Sequence, residues 1–595
     1  MSQYLLLAIA TIITLGIAAE WIAWRIGLPS ILVLLVFGIV AGPLTGLLKP
    51  DAIFGDLLFP VVSVSVAIIL FEGGASLKIG ELRQVGRVVT SLVTVGAVVT
   101  WALVTAAAHY ILGFDLEPAL LLGAILVVTG PTVIVPLLRH MRPNPQVGNT
   151  LKWEGILIDP IGAVLAVLVF EILVEGGLEV AWTVGALGFL NTVVIGVTLA
   201  AVGASLMILL LNRRWVPEFL QSPLSLTVVV AAFAASNALQ PESGLLTVTL
   251  MGMAMANQSS VNIRHIIEFK ENLRVLLISS LFIILAARLE MADLRAVGMP
   301  EIAFVGALIL VVRPVAVGIS TQGSDFSWRE RILLGWVAPR GIVAAAVSSL
   351  FALELTQHGY AGAEQLASVT FLVIISTVLV YGFTAGPLAR RLGVAQPEPQ
   401  GVLFVGAHPW AREIARELQE LGFQVRLADT NRRNISQAGL DGLPTYYGST
   451  LTEGALDQIE LAGIGKLLAL TSNDEVNSLT GLNFSEVFGN DSVYQLPPAE
   501  LETATEETLV GRHLRGRFLF QADAGHWELT SRFDAGADVK TTRLTESFGY
   551  TDFLEQHPDS IPLFVVDERK LTVVTVYGAA VPQPGQTIVA IVGGA

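Results

Sequence analysis

The sequence predicts a polytopic α-helical membrane domain followed by a soluble α/β module. Three observations predict it. The 595 residues are 53% hydrophobic and 14% charged, whereas soluble globular chains carry about 25% charge. Apolar runs of about 20 residues, enough to cross a bilayer, recur as far as Leu388. Beyond Val394 the composition reverses, and the residues after 400 carry 26 Asp and Glu against 14 Lys and Arg. The chain has no cysteine, which excludes disulfides and thiolate metal sites. The acidic module argues against a nucleic-acid partner.

The first run, Tyr4 to Trp24, has no basic leading segment and no small-residue cleavage site, so it reads as a retained span. With it, about thirteen runs lie along residues 1–394, centred near 14, 38, 67, 100, 128, 162, 196, 232, 251, 281, 310, 342 and 378. The loops between them alternate in charge. One set holds Arg25; Lys78, Arg83 and Arg87; Arg139, Arg142 and Lys152; Arg213 and Arg214; Arg264 and Lys270; Arg329 and Arg331; Arg390 and Arg391. The other holds Asp51, Asp115, Glu117, Glu175, Glu179, Glu242, Asp293 and Glu364, with only Lys49 and Arg295 as bases. The positive-inside rule makes the first set cytoplasmic. An odd number of spans then places the N-terminus outside and the C-terminal module in the cytoplasm.

Two spans are interrupted. The fifth reads Val127-Val128-Thr129-Gly130-Pro131-Thr132 and the twelfth Val337-Ala338-Pro339-Arg340-Gly341. Pro and Gly free backbone groups at membrane depth, which is tolerated inside protein or beside a cavity. One break in each half predicts inverted repeats with a midplane site between two broken crossing helices.

The sixth span contains Trp153-Glu154-Gly155-Ile156-Leu157-Ile158-Asp159-Pro160. An ionisable group in hydrocarbon costs about 3 kcal/mol or more and marks ion or proton handling. Glu154 and Asp159 are five residues apart, about 140° around a helix, so they need different partners. Arg340, in the matching break, is the candidate partner of Glu154. Asp159 shares its face with Gly155, Ile156 and Ala163, none of which can neutralise it. That leaves Asp159 as the group free to exchange ligands.

These segments are similar to those of cation:proton antiporters. The similarity rests on Arg25-Ile26-Gly27-Leu28-Pro29-Ser30 with Gly38 and Gly42-Pro43, on Leu70-Phe71-Glu72-Gly73-Gly74 with Leu77, and on Thr129-Gly130-Pro131-Thr132. It rests also on Glu154 with Asp159-Pro160, Val312-Arg313-Pro314, Gly335-Trp336 with Pro339-Arg340-Gly341, and Tyr381-Gly382-Phe383-Thr384 with Gly386-Pro387-Leu388. Residues 1–394 most resemble the monovalent cation:proton antiporter-1 family, the sodium–proton exchangers. The resemblance implies exchange of Na+ or K+ for H+ in a prokaryotic inner or plasma membrane, by a homodimer. It implies that Asp159 holds the cation or proton, that Thr129 lends an oxygen, that Glu72 faces the ion path, and that Glu154 and Arg340 form a structural pair. Three positions depart from the family pattern: Ile158 for Asn, Gly130 for Asp, and Gly155 for a small hydroxyl residue. With one unpaired carboxylate in the site, exchange is expected to be electroneutral.

After the linker Gln396-Pro397-Glu398-Pro399-Gln400, Gly401 to Val405 reads as a buried strand turning through Gly406-Ala407-His408 into a helix from Arg412 to Leu421. A second strand, Gln424 to Asp429, ends in an acid 23 residues after Gly406, the spacing of a dinucleotide fold. Tyr446-Tyr447-Gly448 and Lys466 to Thr471 end later strands. Residues 400–495 resemble the RCK-type nucleotide-binding domain that regulates potassium conductance, and Gly406, His408, Asp429 and Thr471 are its candidate ligand residues. The glycine fingerprint is degraded, with His408 and Ala411 in place of two glycines, so AMP, ADP or ATP suits it better than NAD. A structural fold without ligand is the alternative. Residues 511–595 resemble the C-terminal subdomain of such regulators, with Ala580 to Val592 as a closing hairpin. No cofactor is required for transport. The other readings are a ligand-gated cation channel, for which no Thr-Val-Gly-Tyr-Gly-like filter is present, and a nicotinamide enzyme, for which no acid–base constellation is present.

Overall fold

The computed structural model describes residues 2–594 except 27, 176–180, 214, 259, 262–263, 290, 292–296, 358–359, 361–364, 396–398, 453–454, 462, 499–514, 569 and 579–580. Gly27, Glu179, Arg214, Asp293, Arg295, Glu364, the first linker residues and the start of the 511–595 segment therefore lie outside the described residues. The chain forms two compact units, Met1–Gln396 and Pro397–Ala595.

The first unit is helical: α1 Ser2–Ile26, α2 Ser30–Ile39, α3 Pro50–Phe54, α4 Leu58–Ala75, α5 Ile79–Ser91, α6 Ala97–Leu112, α7 Leu116–Ile125, α8 Pro131–Met141, α9 Pro145–Glu175, α10 Ala181–Asn212, α11 Glu218–Leu239, α12 Ser243–Asn257, α13 Arg264–Ala287, α14 Met299–Ala307, α15 Arg313–Ser320, α16 Trp328–Trp336, α17 Ile342–Gln357 and α18 Gln365–Arg391. The π turn Val40–Leu44 extends α2, and single π turns link α5 to α6 and α14 to α15, so each continues as one helical rod. Among the described residues, eight helices are long and apolar enough to span a bilayer, and five shorter apolar helices accompany them. Eleven of them contain one of the apolar centres read from the sequence, whereas the centres near 128 and 342 fall at the two breaks, where the chain leaves one helix and enters the next. Leu6, Trp21, Val98, Phe189 and Leu310 point outward and stay exposed. A water-soluble protein does not leave so much apolar surface open, whereas lipid covers it. Inside, small residues let helices approach. A Cβ on Gly74 of α4 would strike the Thr249 carbonyl of α12, and one on Gly252 of α12 the Phe71 carbonyl of α4, as bilayer helix packing requires.

The second unit is α/β. Strands β1 Gly401–Val405, β2 Val425–Asp429, β3 Thr445–Tyr447, β4 Ile464–Ala469, β5 Val493–Gln495 and β6 Arg517–Phe518 form a parallel sheet in the order β3-β2-β1-β4-β5-β6. Helix α19, Pro409–Glu420, follows β1 and starts three residues earlier than the sequence predicts. Pro409 is its first residue, where a missing N–H and a fixed φ cost nothing. The other helices of this unit are α20 Arg432–Leu440, α21 Ala455–Gln458, α22 Asp474–Phe488, α23 His526–Asp534 and α24 Tyr550–Gln556. An antiparallel sheet of β7 Asp538–Arg543, β8 Ile561–Asp567, β9 Lys570–Val573 and β10 Thr587–Val592 runs in the order β7-β10-β8-β9. The expected hairpin over Ala580–Val592 is corrected here. Among the described residues of that segment, which exclude Ala580, only β10 is a strand, and it pairs with β7 and β8. Pro582 and Pro584 withhold ladder donors, and Gly585 turns the chain at φ +96°.

Candidate functional site

The two interrupted spans meet at their breaks. Helix α7 ends at Ile125 and α8 starts at Pro131, with Gly130 extended between them. Helix α16 ends at Trp336 and α17 starts at Ile342. Gly130 and Gly341 face each other so closely that a Cβ on either would stand 2.5 Å from the other's Cα. Gly130 thus serves the crossing by having no side chain, and the Asp common at this position would not fit without parting the breaks. The carbonyls freed at the end of α7 have a donor: Arg340 Nη1 gives hydrogen bonds to Val127 O at 3.1 Å and Val128 O at 3.2 Å. A cation there also meets the negative end of the α7 dipole.

The expected Glu154–Arg340 pair is corrected by this geometry. Both oxygens of Glu154 are taken by Arg313 of α15. Nη1 donates to Oε1 and Nη2 to Oε2 at 2.8 Å, while Nε donates to the Leu334 carbonyl at 3.0 Å. All three charged residues are buried. The planar guanidinium fork matches the carboxylate, and Arg340 is committed to backbone carbonyls. Glu154, Arg313 and Arg340 line one small cavity with Thr100, Thr129 and Ile158. Ile158 makes part of that wall apolar.

Among the described residues, Asp159 has no such partner. It is 1% exposed, and its Oδ1 has no hydrogen-bond partner. Its placement follows from α9. A Cβ on Gly155 would meet the Thr129 carbonyl at 3.6 Å and Ile134 Cδ1 at 2.9 Å, and one on Gly162 would strike the Val128 side chain. Both glycines therefore face the α7–α8 break. Asp159 lies four residues after one and three before the other, on that same face. Two more buried oxygens there lack partners, Thr129 Oγ1 and Thr132 Oγ1. Thr132 Oγ1 is 3.3 Å from a Cβ built on Gly130, so it sits at the crossing itself. Buried polar atoms are normally bonded, so three orphaned oxygens around one break mark a place for a ligand that accepts oxygen donors.

Glu72, near the end of α4, is buried and forms an ion pair with Arg274 of α13 at 2.6 Å. The adjacent Gly73 packs on Ile156 of α9, a Cβ there standing 3.5 Å from its side chain.

Sequence reasoning missed Arg313, Arg274 and Thr132. Arg313 stands within the run Leu308 to Val317, and an arginine in hydrocarbon calls for a carboxylate partner as strongly as Arg340 does. Thr132 is a hydroxyl in the first turn after a break. Arg274 follows a basic loop and gave no separate signal.

In the soluble unit the four candidate ligand residues gather at the C-terminal ends of β1, β2 and β4, where the strand order reverses and such folds bind ligands. The side chains of Asp429 and Thr471 are spent locally, whereas His408 Nε2 is buried without a hydrogen-bond partner among the described residues. Asp429 Oδ2 accepts from Ala407 N–H at 2.8 Å and Asn434 Nδ2 at 2.9 Å, and Oδ1 accepts from Asn431 N–H at 2.8 Å. Thr471 Oγ1 bonds Asn477 Oδ1 at 2.7 Å. Gly406 turns at φ +110°, and His408 Nε2 lies 3.2 Å from a Cβ built on it. The imidazole covers the ground a pyrophosphate needs, stacked on Trp410 and 4.6 Å, centroid to centroid, from His526. Burial holds His408 below the usual histidine range. This turn does not fit a dinucleotide.

Residues 7–391 match the family described as sodium/hydrogen exchanger, transmembrane, and residues 402–496 match the TrkA-N domain. The chain is 29% identical over 376 residues to the K(+)/H(+) antiporter NhaP2 of Shewanella sp. (strain ANA-3), covering 63% of this chain and 64% of the relative. It therefore spans just under two thirds of that relative. It is 25% identical over 401 residues to the probable Na(+)/H(+) antiporter 2 of Methanocaldococcus jannaschii, over 62% of this chain and 93% of the relative. The sodium proton antiporter MjNhaP1 of Methanocaldococcus jannaschii shares the fold, with a TM-score of 0.56 and 22% identity over 65% of this chain and 99% of that one.

Proposed function

Because the chain belongs to the sodium/hydrogen exchanger transmembrane family, we propose that it exchanges one monovalent cation, Na+ or K+, for one proton across a prokaryotic plasma membrane. The observation that supports this is Asp159, a buried carboxylate with an unpartnered oxygen on the face of α9 that packs on a broken span. Desolvation sets proton and cation in competition for one carboxylate. The proton neutralises it in one half-cycle and the cation in the other. Thr129 and Thr132 offer hydroxyls to the cation, and Gly130 lets the two breaks cross closely enough to share it. Glu154 and Arg313 hold α9 against α15. Arg340 closes the carbonyls at the end of α7. Glu72, held by Arg274, flanks the path.

The relatives' names divide between K+ and Na+, and both cations remain within the proposal. The membrane unit is a homodimer with its N-terminus outside, and the cytoplasmic module biases transport without chemistry, by shifting a two-state equilibrium.

The test is proton movement in liposomes containing the purified protein, with Na+ and K+ supplied in turn. Either cation gradient should drive counter-movement of protons, at a rate that an imposed membrane potential leaves unchanged. Asp159→Asn should abolish it while the protein still inserts and stays folded. Near-normal exchange by that variant would refute the assignment. A clear voltage dependence would show that a second titrating group, with Glu72 the first to examine, joins the cycle.

A further inference from the structure

Resting on the exchange function and the module bias proposed above, we propose that Asn144 is the positioning residue through which the soluble module acts on the ion site. Asn144 stands in the turn between α8 and α9, and four hydrogen bonds converge on it. Its Oδ1 accepts from the Val147 N–H at 3.0 Å, and its carbonyl accepts from the Gly148 N–H at 2.9 Å. Its Nδ2 donates to Glu330 Oε1 at 2.6 Å, and its own N–H donates to the Val394 carbonyl at 2.9 Å.

These bonds reach three elements. Val147 and Gly148 lie at the start of α9, the helix that holds Glu154 and Asp159, and the Asn144 side chain supplies an acceptor that a helix start otherwise lacks. Glu330 lies in the first turn of α16, the helix that runs up to the second break. It is buried, and its other oxygen caps α16 by accepting from the Ser327 N–H and hydroxyl, both at 2.7 Å. Val394 follows α18 on the way out of the membrane unit, and beside it Ala395 forms an antiparallel bridge with Pro143. Asn144 thus ties the starts of α9 and α16 to the outgoing chain. A short amide suits this place because it offers an acceptor to one side and donors to the other, whereas a carboxylate has no donor.

The far end of the outgoing chain is fixed as firmly. Gln400 Oε1 accepts from Lys466 Nζ of β4 at 2.9 Å and from the Leu571 N–H of β9 at 3.0 Å, so both sheets of the module hold it. A Cβ on Gly465 of β4 would come 1.8 Å from the Pro399 carbonyl oxygen, so that glycine lets the outgoing chain lie directly on the sheet. Four residues, Gln396-Pro397-Glu398-Pro399, separate Ala395 from Gln400, and two of them are proline. Proline fixes φ, and a tether this short and proline-bearing has little slack. Bonded at both ends, it passes a displacement of the module to Asn144 instead of absorbing it. From Asn144 the displacement enters α9, which is continuous from Pro145 through Asp159, and α16, which ends at the second break.

The test is cation-driven proton movement by full-length proteins in liposomes: the unaltered chain, Asn144→Asp, a Gly-Ser-Gly-Ser insertion between Gln396 and Pro397, and the two changes together. Asn144→Asp keeps the cap on α9, removes the donor to Glu330 and sets two carboxylates together. The insertion slackens the tether and alters neither unit. Each change alone should shift the exchange rate in the same direction by about threefold or more, and the pair should do no more than either one, because both cut one link. Adding Glu330→Gln to Asn144→Asp restores the bond with donor and acceptor exchanged. It should return the rate to within about twofold of the unaltered chain and restore the response to the insertion. A residue that only capped α9 would show no such rescue. An insertion without effect on the rate, effects that multiply, or a failed rescue would overturn the proposal.

Amide hydrogen exchange of the full-length protein in detergent separates this coupling from the exchange function. The insertion should speed exchange of the Asn144 amide, which bonds Val394, by about threefold or more whether or not ions are moved. Cation-driven proton movement by the unaltered chain with that amide unchanged by the insertion would overturn the coupling alone. A faster amide without cation-driven proton movement would support the link and refute the exchange function instead.

Discussion

Replacing Arg313 by alanine tests the ion pair that ties α9 to α15. Arg313 is 6% exposed and Glu154 3%, so neither charge has water to fall back on. Removing one partner of such a pair strands the other at a cost of about 3–5 kcal/mol. Arg313 also donates to the Leu334 carbonyl, and leaving that acceptor bare adds about 1–3 kcal/mol. Arg313→Ala should therefore lose at least about 4 kcal/mol. Glu154→Ala should lose about 3–5 kcal/mol by stranding the guanidinium. The double variant removes both charges together, so the coupling energy should be about 2 kcal/mol or more. Arg340 supplies the contrast. Its bonds go to the neutral carbonyls of Val127 and Val128, and its coupling to Glu154 should stay below about 1 kcal/mol. The assay is equilibrium unfolding in mixed detergent micelles followed by helical circular dichroism, on the four proteins of each cycle. Additive losses for Glu154 and Arg313, or a larger coupling to Arg340 than to Arg313, would refute the assignment.

Two further outcomes follow from the geometry. Gly130→Ala and Gly341→Ala each force a methyl to 2.5 Å from the opposing Cα. Backbone cannot rotate away as a side chain can, so each should cost about 1–3 kcal/mol and slow exchange in liposomes; full activity in both would mean that the crossing opens freely. In the soluble unit, burial and then the neighbouring His408 push His526 down to about 4. The unfolded chain takes up that proton near pH 6.5 and the folded one resists it. The stabilisation is thus complete above about pH 6.5 and fades as the pH falls toward about 4. Thermal unfolding of the module between about pH 7 and pH 5 should show this slope, and His526→Gln should flatten it. An unchanged slope in that variant would assign the effect elsewhere.

The thirteen apolar segments and the two breaks were legible because hydrocarbon imposes a length and leaves backbone groups no substitute for water. A span is announced by its own residues. So is a break, because Pro and Gly act on their immediate neighbours. That Asp159 would be left without a neutralising neighbour was legible by elimination along one helix, and its Oδ1 is indeed unpartnered among the described residues; its part in exchange is the proposal. The partner of Glu154 was not, because pairing is a property of two surfaces rather than one segment. Charge sign admits Arg313 and Arg340 equally, and what separates them is the freed carbonyls of Val127 and Val128, which claim Arg340 first. Those carbonyls exist only because α7 stops at Ile125, so the break that points to a site also redirects the arginine beside it. Gly130 teaches the same lesson from the other side. In the sequence it reads as a missing acid, whereas at the crossing it is the condition for Gly341 to approach. Shedding that carboxylate leaves Asp159 as the carboxylate with an unpaired oxygen on the face of α9 that meets the break. The close crossing and the proposed one-to-one stoichiometry thus stand on the same residue. Restoring the acid with Gly130→Asp should part the breaks and impair exchange rather than add a second charge to the cycle.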